Sequence, residues 1–243
     1  MSVDTRPQLL PPSGPPPRQR RRFSLAALLG EILITLGVIV LLFVVWQLWW
    51  TDVTSRASFE ATGDALQSEW HASAGDAPKQ ISEPDYGEAF ALMYIPAIKD
   101  AVWGVPVVEG TSRDELMRGV GHHPDAALPG EDGNFAVAGH RVTYGKPFNQ
   151  IAELRPGDQV IVETESGYYT YELDNSEIVE ASEGWVLQPN PQAEITSKPG
   201  DPLITIYSCH PMYSAAQRYV YFGHLVEETT KDNPPAALED SSA

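Results

Sequence analysis

The chain has 243 residues, a formal net charge of −17 and a single cysteine. That acidity repels nucleic-acid phosphate, and one cysteine excludes any disulfide within the chain. The charge is unevenly spread: residues 1–22 hold five arginines against one aspartate, a formal +4, so the remainder carries −21.

Taken from the N-terminus, residues 7–17 (PQLLPPSGPPP) contain six prolines and no regular apolar spacing. Such a segment cannot bury enough surface to offset its ordering, so a disordered Pro/Arg-rich tail is expected over 1–22. Thirteen of the twenty residues from Ile32 to Thr51 are Leu, Ile, Val or Phe, and none is charged. As a helix this run spans roughly 30 Å, one hydrocarbon core, and its aliphatic residues favour insertion by about 4 to 8 kcal/mol. A transmembrane anchor over 23–51 is therefore expected. A cleavable signal peptide is the rival, but its apolar core is shorter and its cleavage site would follow directly; the nearest A-x-A here is Ala72 to Ala74. The arginines before the span put the N-terminus in the cytoplasm and the bulk of the chain outside, with Trp46, Trp49 and Trp50 at the outer interface.

Residues 52–88 are polar and alanine-rich and read as an extracytoplasmic stalk, helical in part near SRASFEATGDALQSEW. From Ala89 to about 229, short apolar runs alternate with turn residues: ALMYIPAI, AVWGVPVVEG, FAVAGH, DQVIVET, YYTYELDNSEIVE, PLITIYSC and RYVYFGHLVEE. These are strand signals, two of them joined at Glu165-Ser166-Gly167 as a hairpin in which Gly167 would supply a positive φ. One helix is predicted over Ser112 to Val120, with Ser112 and Glu115 in capping-box spacing. Many strands and few helices define a mainly β domain, a small closed barrel or a sandwich. Residues 230–243 read as a disordered tail.

Cys209 ends the apolar run PLITIYSC, and His210-Pro211 stops further regular pairing. By composition alone a lone cysteine is more often a packed small hydrophobe, and an intermolecular bridge is a further alternative. Its place at a strand end makes it accessible, and a reactive thiol then needs a base or cation nearby. Of the six histidines, His71 lies in the stalk, His224 inside a strand pattern, and His122 and His123 before a proline. His210 adjoins the cysteine, yet adjacent strand residues point to opposite faces. His140, opening from FAVAGHR, is the better base, and Arg218, at the start of the strand that follows Cys209, can face the same strand ends. No dense ligand spacing for a metal is present, and no cofactor is implied.

Three segments in order, HHPDAALPGEDGNFAVAGHR, LITIYSCHP and RYVYFGHL, resemble the histidine, cysteine and arginine motifs of sortases, the membrane-anchored cysteine transpeptidases of Gram-positive bacteria. HRVTYGKPFNQIAELRPGD and the CHP continuation are most similar to class E sortases of actinobacteria. The resemblance covers about 89–227 and implies a closed eight-stranded barrel with one or two short helices. It implies Cys209 as nucleophile, His140 as acid and base, and Arg218 as oxyanion or backbone donor. It further implies substrate contacts from Ser208, Thr205, Tyr94 and Tyr144, Tyr94 matching a position linked to alanine selection. The implied substrates are secreted proteins bearing an LAxTG or LPxTG-like C-terminal signal, and the implied acceptor is an amine of a peptidoglycan precursor such as lipid II. A pilin-polymerising enzyme and a non-catalytic wall-binding barrel are the alternatives. Ser208 departs from the family, which usually has threonine before the cysteine.

Overall fold

The computed structural model describes residues 24–72, 81–191 and 201–239. The expected tail over 1–22, part of the stalk and the last four residues lie outside the described residues. The chain divides into two compact units, one ending at Val45 and one from Trp46 onward. Helix α1 runs Leu25–Ala72, well past the expected end of the apolar span. In the first unit its leucines, isoleucines and valines are exposed, and by length and composition it is able to cross a membrane.

The second unit is built on eight strands: β1 (Ala89–Tyr94), β2 (Trp103–Glu109), β3 (Val120–His122), β4 (Gly133–Ala138), β5 (Gln159–Glu163), β6 (Tyr168–Glu180), β7 (Pro202–His210) and β8 (Gln217–Thr229). They close into a barrel in the order β1-β2-β3-β4-β7-β8-β6-β5. The pairs β2–β3 and β4–β7 are parallel, the others antiparallel. The expected closed eight-stranded barrel is what forms. β-Branched and aromatic residues fit the pleated, half-buried surface of such strands, and Phe135, Val137, Ile204, Ile206, Tyr171 and Val160 share its main core.

Three expectations are corrected. Residues 52–72 are not a free stalk: Ser55, Phe59, Gly63 and Trp70 recur at helical spacing and are buried against the barrel. The segment 230–239 is ordered where described. Lys231 pairs with Glu163 at 2.6 Å, and the short helix α3 (Ala236–Glu239) places Ala237 and Leu238 against the cluster of Trp70, Leu92, Tyr94 and Ile161. Gly167 has no positive φ; a Cβ there would lie 2.3 Å from the Thr229 carbonyl oxygen, so glycine is required for close approach to β8.

The predicted helix after Ser112 is a single turn, α2 (Arg113–Leu116). Ser112 caps it through the Asp114 N–H, while the Glu115 carboxylate takes the hydroxyls of Ser112 and Tyr86.

Candidate active site

Three strand ends meet on one rim of the barrel. In the β7–β8 ladder Cys209 stands opposite Arg218, and in the β4–β7 ladder Ala138 stands beside Tyr207. Gly139 extends that parallel pairing by donating its N–H to the Tyr207 carbonyl at 3.1 Å, which brings His140 alongside the end of β7. Cys209, His140 and Arg218 thus line one cleft of about 300 Å³. Its other walls are Leu116, Val186, Leu187 and Tyr207, mostly apolar, with Glu183 at the edge.

Cys209 is half-buried and forms no disulfide within the chain. Arg218 donates Nη1 to the carbonyls of Ala215 and Gln217 at 3.0 and 2.9 Å, which fixes the guanidinium at the loop joining β7 to β8. Burial pushes the Tyr207 phenol up, and the Arg218 charge beside it acts in the opposite sense. Burial, with the positive charge of Arg113 second, holds the His140 imidazole below its ordinary value. Its Nε2 is buried and has no hydrogen-bond partner among the described residues. The ring lies against Tyr144 at a centroid distance of 5.2 Å. Tyr144 in turn accepts a hydrogen bond from Arg113 Nη2 at 2.7 Å.

The remaining expected site residues fall out differently. Ser208, on the strand face opposite Cys209, is buried and donates to the Gly139 carbonyl at 2.7 Å, so it ties β7 to the histidine segment. Thr205 shares the outer strand face with Tyr207 and Cys209 but is completely buried. Tyr94 is not at the cleft. Its hydroxyl donates to Glu163 Oε2 at 2.7 Å, its ring packs with Trp70, and it lines a separate cleft of about 450 Å³ between the α1 segment and β1–β2. The alternation along β1 decides this, since Tyr94 shares the face of Leu92, which turns away from the main core.

Arg141 was legible only as the neighbour of His140. The structure buries it and sets its Nη1 at 3.1 Å from the Cys209 carbonyl and 3.0 Å from His210 Nδ1. Accepting that bond requires a neutral His210 ring protonated on Nε2, which removes Nδ1 from any role toward the thiol. His122 is likewise occupied, with Nδ1 at 2.6 Å from Glu109 and Nε2 at 3.1 Å from the Ala127 carbonyl. His224 pairs with Asp174 at 3.0 Å.

An accessible thiol, an imidazole held toward its neutral form and a guanidinium around one apolar cleft form the equipment of cysteine-dependent acyl transfer. Residues 93–226 match the Sortase domain family, and the chain belongs to the sortases. It is 39% identical over 220 residues to Sortase SrtE1 of Streptomyces coelicolor, a match spanning 86% of this chain and 60% of that protein. Sortase SrtE2 of the same organism is 32% identical over 228 residues, 87% of each chain. The solved structure of Sortase E1 from Streptomyces coelicolor with a tripeptide in its active site superposes with a TM-score of 0.58 at 34% identity, covering 63% of this chain and 97% of that one. These relatives are of class E.

Proposed function

We propose that this protein is a transpeptidase that cleaves an LAxTG or LPxTG-like sorting signal after its threonine and transfers the new carboxyl end to an amine of a cell-wall precursor. The observation that carries this reading is the convergence of Cys209, His140 and Arg218 on one cleft from the ends of β7, β4 and β8. The cleft's apolar walls suit an extended peptide, and the relative that holds a tripeptide supports a peptide occupant here.

In this mechanism the Cys209 thiol gives its proton to neutral His140 as the sulfur attacks the threonine carbonyl carbon, and Arg218 donates hydrogen bonds to the resulting oxyanion. Collapse expels the C-terminal fragment as an amine that takes its proton from the His140 imidazolium, leaving a thioester. The incoming amine attacks the thioester and gives a proton to neutral His140, and the departing Cys209 sulfur takes that proton back as the new amide forms. The apolar part of α1 anchors the enzyme with its N-terminus in the cytoplasm and the barrel outside, where secreted substrates and lipid-linked precursor meet it.

Incubation with LAxTG and LPxTG peptides, with and without an amine, followed by mass spectrometry tests this. The parent protein should show an acyl-enzyme that the amine resolves. Cys209→Ala should show none, and an acyl mass shift persisting in that variant would remove Cys209 as nucleophile. Arg218→Ala should lose about 10²- to 10³-fold in rate, the usual effect of deleting one oxyanion donor. Near-normal turnover would place Arg218 outside the chemistry.

A further inference from the structure

The segment after His140 runs Arg-Val-Thr-Tyr-Gly-Lys-Pro and makes a tight turn closed by the Lys146 N–H on the Thr143 carbonyl at 3.0 Å. Three successive residues in it are left-handed: Tyr144 at φ 52°, Gly145 at 73° and Lys146 at 43°. Glycine accepts this freely, but tyrosine and lysine do not, so the turn persists only where its surroundings over-determine it.

Those surroundings come from α1. Asp52 pairs with Lys146 Nζ at 2.7 Å, and the Phe59 ring lies so close over Gly145 that a Cβ there would be 2.7 Å from it. Positions 52 and 59, seven apart, share one helix face. Phe59 itself is buried in the barrel's main core, which fixes it in place. On its other side the turn presents the Tyr144 ring to His140, whose Nε2 has no hydrogen-bond partner among the described residues to orient it.

We propose that the barrel-packed part of α1 is a positioning element for the reaction: Asp52 and Phe59 hold the left-handed turn, the turn holds Tyr144, and Tyr144 sets the orientation and dryness of the His140 imidazole. The inference rests on His140 being the acid and base. The continuation of the membrane-spanning helix is thereby coupled to the catalytic imidazole through a chain of direct contacts, with Tyr144, Phe59 and Asp52 as positioning residues. The charged and titratable groups around that imidazole are Arg113 of α2, Tyr144, and Cys209, Arg218 and Glu183 of the cleft.

The test uses the full chain in detergent micelles with a sorting-signal peptide and an amine acceptor, comparing Tyr144→Ala, Tyr144→Phe, Phe59→Ala and His140→Ala. Misplacing a reacting group by about 1 Å costs up to roughly 10²-fold. Tyr144→Ala and Phe59→Ala should therefore lower kcat about 10- to 100-fold with KM moved less than about 3-fold. Both should also shift the acid limb of the pH–rate profile upward, because water admitted to the imidazole relieves the burial that holds it down. Tyr144→Phe keeps the ring and should restore kcat to within about 3-fold. A merely structural contact would lower thermal stability and leave kcat per folded molecule and the pH limb in place. Phe59→Ala removes a core ring and Tyr144→Ala does not, so the tyrosine variant decides the matter if the phenylalanine variant fails to fold. Loss of turnover in His140→Ala alongside unchanged kcat and pH limb in Tyr144→Ala overturns the positioning role and leaves the proposed function standing. Full turnover in His140→Ala removes the acid/base assignment and this inference with it.

Discussion

Arg113 is exposed, yet its charge is the second cause, after burial, of the depressed His140 pKa. A positive neighbour disfavours the imidazolium, so less of His140 is protonated at a given pH. The sign for folding follows: the unfolded chain binds the proton more readily, so neutral His140 contributes its full stability above about pH 6.5 and loses it as pH falls toward the folded value. For catalysis, Arg113→Ala should raise the His140 pKa and move the acid limb of kcat/KM to higher pH. Because Arg113 is in solvent, the displacement should shrink in concentrated salt, where the Debye length falls to about 3 Å. An acid limb that stays in place at low salt would show that burial alone sets the histidine. Cys209, His140 and Arg218 were each legible in the sequence as residues at strand ends. The partners that fix their neighbours were not: Arg141 reaches β7 across 68 positions of sequence, and Arg113 meets Tyr144 across 31. Such contacts depend on which strand ends share a rim. Tyr94 shows the same dependence in reverse, since a one-residue difference in facing sends it to Glu163 and away from the cleft.

At the scale of elements, Glu163 joins three segments that the sequence left separate. Its carboxylate is buried and accepts from Tyr94 of β1 at 2.7 Å, Gln67 of α1 at 3.3 Å and Lys231 of the C-terminal segment at 2.6 Å. Lys231 also lies over the Trp70 ring at 4.2 Å. Burial lowers the Lys231 pKa despite the carboxylate beside it, and burial with the negative Glu163 pushes Tyr168 up to about 12. Removing the cation leaves the carboxylate with neutral donors only. Lys231→Met should therefore cost about 1 to 3 kcal/mol, below the loss expected of a completely buried pair because the lysine is 28% exposed. Lys231→Met with Glu163→Gln should recover part of that loss in denaturant melts; strictly additive losses would show that the two side chains do not act as a pair. The sequence concealed this joint because Ser55, Gly63 and Gln67 carry the buried face of α1 together with Phe59 and Trp70. Small and polar residues do not register as an apolar stripe, so a packed helix read as a solvated stalk.

For the whole molecule, the closed barrel is only as tight as its shortest seams. β6 and β8 are paired from Tyr168–Thr229 to Glu180–Gln217, whereas β3 and β4 share two paired positions and β1 and β5 three. Seven of the eight strands were readable as apolar runs. β3 was not, because three residues, Val-Gly-His, are too few to show alternation, and it exists only because β2 and β4 flank it. Long-range pairings, such as β4 beside β7 across an intervening hairpin, are slow to form. Short ladders with few buried bonds should open locally, so β3–β4 amides are expected to exchange with deuterium well before those of β6–β8. The β1–β5 seam is only one pair longer, but Leu66 and Trp70 of α1 cover it through Leu92, Tyr94 and Ile161. Trp70→Ala should accordingly speed exchange at Leu92 to Tyr94 and Ile161 to Glu163 while leaving the β6–β8 amides nearly unchanged. Uniform acceleration across all eight strands would mean that the helix stabilises the barrel only globally. Unaltered exchange at β1–β5 would mean that it does not guard that seam at all.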